Sequence, residues 1–213
     1  MARQLTRTDH LIRQFDTVLR TLVPGAAQAS RPSPAVHAVD DVMSEQERQH
    51  AAGLMRVNHT SEVCTQALYQ GQGMTAKLDH VRDRMEEAAV EEIDHLVWCE
   101  GRLKELDSRT SLLNPLFYMA SFSLGAITGR IGDPVSLGFV NATEELVGSH
   151  LDSHMKELPQ ADRRSRAIIE QMSLDEAHHA HNALEAGGKR FPLPFRLGMR
   201  LAAKVMTASV YRI

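Results

Sequence analysis

Two short motifs carry the chemistry of this 213-residue chain. Glu92-Ile-Asp-His95 and Glu176-Ala-His-His179 each set a carboxylate and an imidazole three residues apart. On a helix that spacing puts both groups on one face, so both can reach a single ion. Each motif follows a lone glutamate at nearly the same distance: Glu62 stands 30 residues before Glu92, and Glu144 stands 32 before Glu176. The two halves are offset by 82 residues at the lone glutamate and by 84 at both members of each pair. The chain reads as one helical hairpin written twice, each copy giving Glu plus Glu-x-x-His.

Any one of these residues alone reads better as a solvated helix charge. Their neighbours argue otherwise. The face of Glu92 and His95 carries Met85, Ala88, Ala89, Leu96, Cys99 and Leu103, and that of Glu176 and His179 carries Ile169, Met172, Ala180 and Ala183. Glu144 sits among Leu137, Val140, Val147, Gly148 and Leu151. Glu62 has a more mixed face, with Met55 beside Asn58, Thr65, Gln66 and Tyr69. An unpaired carboxylate in an apolar stripe is costly, so something must neutralise it. Four glutamates and two neutral histidines supply a charge of −4, which matches two divalent cations. Hard oxygen donors with imidazole suit iron or manganese. The expected metal ligands are Glu62, Glu92, His95, Glu144, Glu176 and His179, around two iron ions (Fe2+). This is the ligand set of ferritin-like dinuclear bundles.

Other residues nearby offer alternatives. Glu91, Glu145, Asp175 and His178 lie beside the chosen positions but on more polar faces. His150, six residues past Glu144, is a candidate for supporting a ligand or moving a proton, or else a helix-surface histidine. Cys64 and Cys99 read as small core residues.

The elements that must position these groups are helices. No run alternates with period two, so the chain is expected to be all-α, a four-helix bundle of two hairpins. Ser44 and Glu47 form a capping box that opens a long helix to about Gly71, and Gly71-Gln-Gly73 reads as a turn. A second helix spans about 75–106. Asn114-Pro115 opens an apolar crossover helix that fades at Gly129 to Gly132. Asp133-Pro134 starts a fourth, to about Glu157, and Pro159 separates it from a last long helix ending at Gly187-Gly188. One ferritin-like domain over 1–213 is expected, with three parts. Residues 1–43 give an N-terminal helix and a Pro-rich linker, 44–188 the di-iron bundle, and 189–213 a basic amphipathic tail.

Composition bounds the rest. A net charge of −3 gives no reason to expect a nucleic-acid partner. Two cysteines without CxxC spacing make a disulfide framework implausible and suggest a reducing compartment. The N-terminal arginines Arg3, Arg7, Arg13 and Arg20 are interrupted by Asp9 and Asp16. With the Leu11, Ile12, Phe15, Val18, Leu19, Leu22 stripe they read as an amphipathic helix rather than a leader. Residues 110–129 carry no charge. That reads as a buried bundle helix, with a lipid-facing helix as the alternative. After Glu185 there are six basic residues and no acidic ones. Arg196, Arg200 and Lys204 lie opposite Leu197, Leu201 and Val205, the pattern of a helix on an anionic membrane or of a solvated face packed on the bundle.

Taken together, these motifs resemble those of the demethoxyubiquinone hydroxylases, the 3-demethoxyubiquinol monooxygenases of ubiquinone biosynthesis. Arg56-Val-Asn-His-Thr-Ser-Glu62 followed by Tyr69-Gln-Gly-Gln72 is similar to the first family motif, and Glu91-Glu-Ile-Asp-His-Leu-Val-Trp98 to the second. Glu144-Glu145 with His150, and Asp175-Glu-Ala-His-His179, are similar to the third and fourth. The match runs from Arg56 to Gly188. The resemblance implies a ferritin-like di-iron fold that hydroxylates C6 of a polyprenylated methoxy-methyl-benzoquinol with O2. It implies the same six ligands, with Glu92 and Glu144 as the bridging pair, one per half. It also implies a peripheral protein on the cytoplasmic face of the cell membrane. A homo-oligomer or a complex of ubiquinone-biosynthesis proteins would fit that setting. Family members often carry Tyr where this chain has Leu151, and Gly where it has Ser61. The alternatives are a ferritin-like iron-storage or metal-binding protein without monooxygenase activity, and another enzyme of that fold such as a manganese catalase.

Overall fold

The computed structural model describes residues 6–213, and all regular structure among them is helical. Arg3 lies outside the described residues, as do the side chains of Arg7 and Leu11. The chain forms α1 (Arg7–Leu22), α2 (Glu45–Thr75), α3 (Asp79–Glu105), α4 (Asn114–Ile131), α5 (Asp133–Glu157), α6 (Arg163–Glu185) and α7 (Leu193–Val210). A single 3-10 turn, η1 (Pro34–His37), lies in the linker. The hairpins α2–α3 and α5–α6 pack as a ferritin-like four-helix bundle, and α4 crosses from one to the other.

Local chemistry sets the helix starts. Ser44 and Glu47 make the expected capping box. Asp162 Oδ1 accepts from Ser165 N at 2.8 Å to cap α6. Pro115, Pro134 and Pro194 each stand in a first turn, where a missing N–H costs nothing.

The Gly71-Gln-Gly73 stretch is not a turn: α2 continues to Thr75, and the chain reverses at 76–78. Gly71 lies where α2 crosses α4, and a Cβ there would press into the Phe122 carbonyl and the Ala126 amide. Gly125 of α4 meets the Leu68 carbonyl in return, and Gly129 meets Thr75. Glycine here permits backbone approach between helices, not a reversal. The reversal is held instead by Asp133, which accepts from Lys77 N at 3.1 Å and Leu78 N at 3.0 Å.

The α4 helix, charged only at Arg130, is not a buried bundle helix. It packs its small and polar face inward, with Asn114, Tyr118, Gly125, Thr128 and Gly129 buried. Leu116, Met119, Ile127 and Ile131 stay exposed. The reason lies in α2, whose outer side is polar. Thr60 donates to Asn114 at 2.7 Å, and Tyr118 donates to Gln70. Covered by α4 on this side, α2 is buried all round from Ala51 to Gln72 apart from Arg56 and Cys64, which explains the mixed face of Glu62. No described helix is long and apolar enough to cross a membrane. On α7, Leu197, Leu201 and Val205 are exposed, while Met206 and Val210 pack on Val57.

Residues 24–43 are not a loose tether. Ala35 enters the main core with Trp98 and Leu103. Asp40 Oδ2 takes a 2.7 Å bond from the buried Arg102, which also bonds Asp162 at 2.7 Å.

Candidate metal centre

The site lies midway along the bundle, with one contribution from each of its four helices. Glu62 comes from α2, Glu92 and His95 from α3, Glu144 from α5, and Glu176 and His179 from α6. Two overlapping clusters form: Glu62, Glu92, His95 and Glu176, and Glu92, Glu144, Glu176 and His179. Within each cluster, ligand-type atoms lie within 4.8 Å of one another. Glu92 and Glu176 belong to both. Nδ1 of His95 is 3.3 Å from Glu92 and 3.0 Å from Glu176, and Nδ1 of His179 is 3.1 Å and 3.3 Å from the same two residues. The shared pair is therefore Glu92 with Glu176, not the expected Glu92 with Glu144. The repeat explains this: the shared carboxylates are the two equivalent members of the Glu-x-x-His pairs, and the lone glutamates sit at the ends.

Burial makes this arrangement demanding. Glu62, Glu92 and His95 are 0% exposed and Glu144 and Glu176 1%, so bulk solvent does not reach them. Both oxygens of Glu62 and of Glu92, one each of Glu144 and Glu176, and Nδ1 of His95 have no hydrogen-bond partner. Orphaned buried groups on this scale point to a missing partner. Burial, then the charges of Glu176 and Glu92, drives the carboxyls of Glu62 and Glu144 well above the usual range. Burial alone would lower the histidines, but the surrounding carboxylates win: His95 is raised well above its ordinary value and His179 to about 12. The cluster of carboxylates thus favours positive charge at its centre. Oxygen and imidazole donors around four converging carboxylates fit two divalent cations such as iron or manganese.

A family model described as "Ubiquinone biosynthesis protein COQ7" matches residues 49–209. The chain belongs to the COQ7 family. Similar proteins carry the name 3-demethoxyubiquinol 3-hydroxylase. That of Chromohalobacter salexigens is 68% identical over 213 residues, covering 100% of both chains. That of Pseudomonas aeruginosa is 59% identical over 211 residues, covering 99% of this chain and 98% of its own. The Pseudomonas fluorescens protein is 60% identical over the same length and coverage.

In this COQ7-family chain the alternative-register carboxylates have a place of their own. Asp175 accepts from Nε2 of His95 at 3.0 Å, and Glu91 accepts from Nε2 of His179 at 2.7 Å. Each acid stands one residue before a shared glutamate and reaches across to the histidine of the other half. This exchange fixes both imidazoles with Nδ1 facing the centre. The sequence held a signal for it, since Glu91 and Asp175 share the 84-residue offset. Tyr69 is a further contributor, its hydroxyl donating to Glu144 Oε1 at 2.6 Å. Glu145 turns away to pair with Arg196 of α7. His178 lines a small cavity of about 230 Å³ beside His179. Cys99 is buried in the core, and Cys64 is half-buried at a larger cavity.

His150 makes no hydrogen bond to the six among the described residues. It meets Thr207 of α7 at 3.0 Å, and its ring lies 4.9 Å from the tilted ring of His154. It also lines an apolar cavity of about 460 Å³ between α2, α4, α5 and α7. Its lining includes Phe117, Leu124, Phe139 and Met199, and also Ser61 and Thr143, which precede Glu62 and Glu144 in sequence.

Proposed function

We propose that the chain hydroxylates a polyprenylated demethoxyubiquinol with O2, at two iron ions held by Glu62, Glu92, His95, Glu144, Glu176 and His179. The observation that carries this reading is the set of seven buried, unpartnered donor atoms at the convergence of the four helices. Membership in a ubiquinone-biosynthesis family supplies the substrate class. The ions would supply the O2 chemistry that side chains lack.

The chain's own residues prepare the rest. Glu92 and Glu176 would be shared by both ions, with Glu62 and His95 at one end and Glu144 and His179 at the other. Asp175 and Glu91 keep each imidazole turned so that Nδ1 is presented. Tyr69 holds one oxygen of Glu144 and so limits its swing. Water is excluded by the apolar packing around the centre. The 460 Å³ cavity is large enough for a quinol ring and the first part of its tail, and its mainly apolar lining includes Ser61, Thr65 and Thr143. The exposed apolar faces of α4 and α7 beside that cavity fit a peripheral protein on the cytoplasmic side of the membrane, where such a lipid resides.

Quinone profiling in a deletion strain tests this. The demethoxy precursor is expected to accumulate, and to disappear on return of the wild-type gene but not of Glu144→Ala. Full hydroxylation by Glu92→Ala with iron bound would overturn the assignment.

A further inference from the structure

One residue of the N-terminal linker reaches the edge of the metal centre. Arg31 lies between α3 and α6, with 38% of its side chain exposed. Its Nε donates to Asp94 Oδ2 at 2.7 Å, and its Nη2 makes an ion pair with Asp175 Oδ2 at 2.9 Å. The guanidinium sits over the Trp98 ring, 4.9 Å from its centroid, and Trp98 Nε1 donates back to the Arg31 carbonyl at 3.3 Å. The neighbouring Ser30 N–H donates to Asp94 Oδ1 at 2.6 Å, which locks the linker against α3.

Asp175 Oδ2 is also the atom that accepts from Nε2 of His95, and its Oδ1 accepts from Gln171 at 2.9 Å. Both oxygens are thereby held, and a continuous path runs from Arg31 through Asp175 to His95. The other half of the centre is built differently. Glu91, the partner of His179, has half of its side chain in solvent, against 14% for Asp175. Glutamate has one more rotatable bond than aspartate, and an exposed one keeps its freedom. The near-symmetry of the six central residues is broken just outside them.

We propose that Arg31 is a positioning residue for the His95 half of the centre: it fixes the Asp175 carboxylate, which fixes the imidazole, and this half holds its metal ion more tightly than the His179 half. The inference rests on the reading of the six residues as a dinuclear metal site. Carboxylates that orient ligand histidines are worth about 10- to 100-fold in metal affinity, and Arg31 acts through one of them. Lysine would retain the charge but not the planar fork that meets two carboxylates at once.

Titration of the metal-free chain with Co2+, followed by its visible absorption and by competition with a chelator, reads this directly. Wild type is expected to bind two ions in separable steps. Arg31→Met is expected to weaken the tighter step by about 10-fold or more and leave the other nearly unchanged. Arg31→Lys should recover part of the loss. Asp41→Ala, which cuts the exposed 2.7 Å ion pair to Arg163 at the far end of the linker, should leave both steps as in wild type. Thermal melts of each metal-free variant separate a binding defect from a folding defect. The clamp is overturned if folded Arg31→Met binds both ions like wild type, or if both steps weaken equally, as a packing defect would cause. Wild type that binds no pair of ions would instead overturn the dinuclear reading, and the clamp with it.

Discussion

At the scale of single residues, sharing decides what each carboxylate is worth. Glu92 and Glu176 each approach both histidines, whereas Glu62 and Glu144 each belong to one cluster. Removing a lone glutamate should therefore leave one ion in place: Glu62→Ala is expected to bind close to one metal ion per chain, and Glu176→Ala close to none, by metal analysis after gel filtration. The six central positions were legible because helix periodicity and a repeated offset both report on them. Asp175 and Glu91 share that offset, but a face judged by its own helix looks polar and gives no view of the histidine opposite. A second residue-scale consequence lies outside the metal centre. Burial, then the neighbouring imidazoles of His150 and His50, lowers His154 to about 3, while its Nδ1 donates to Asn58 at 2.6 Å. The unfolded chain takes up this proton near 6.5 and the folded chain does not. Stability from neutral His154 is thus present above about pH 6.5 and is lost as pH falls toward 3. His154→Gln keeps a donor for Asn58 but has no proton to gain. Between pH 7 and pH 5 it should lose about 1–2 kcal/mol less than wild type in urea denaturation.

At the scale of elements, the informative positions are glycines inside helices. Composition and periodicity predicted the seven-helix plan, and α5 starts at the expected Asp133 and ends at Glu157. The end of α2 lies past the glycines. Gly71 looks the same in sequence whether it turns the chain or lets another helix approach. Only the α4 backbone across from it distinguishes the two. These roles make opposite predictions for Gly→Ala. At Gly125, helix propensity would favour alanine by about 1 kcal/mol, but its Cβ would press on the Leu68 carbonyl and peptide of α2. Backbone cannot give way as a side-chain end can, so Gly125→Ala should destabilise by about 1–3 kcal/mol. Gly101 of α3 has nothing within 4 Å of the added atom and is exposed. Gly101→Ala should stabilise by about 0.5–1 kcal/mol. Chemical denaturation of the two variants beside wild type checks both signs, and equal effects would show that α2 and α4 do not cross at Gly125.

At the scale of the whole molecule, the surface inverts the usual sorting of residues around one region. The α4 helix turns polar and small side chains inward and exposes Leu116, Met119, Ile127 and Ile131. The α7 helix exposes Leu197, Leu201 and Val205, with Arg200 and Lys204 also exposed. An apolar face rimmed by cations lies favourably on an anionic bilayer, each cation near the surface adding about 1 kcal/mol at physiological salt. Both helices also wall the 460 Å³ cavity, so a chain docked by this face would receive a lipid-tailed substrate without exposing the tail to water. Three expectations follow from this geometry in vesicle sedimentation. Vesicles with anionic phospholipid should retain the chain more strongly than neutral ones. Replacing Arg200 and Lys204 together by Gln should weaken that retention by about 30-fold at low salt and far less at high salt. Leu201→Asp should weaken it at any salt, because its loss is apolar. Turnover of a quinol without the isoprenoid tail should be nearly the same for Leu201→Asp and wild type, since the metal centre is untouched, while turnover of the tailed quinol in vesicles should fall with binding. Equal retention of all variants on neutral and anionic vesicles would show that α4 and α7 do not form the docking face.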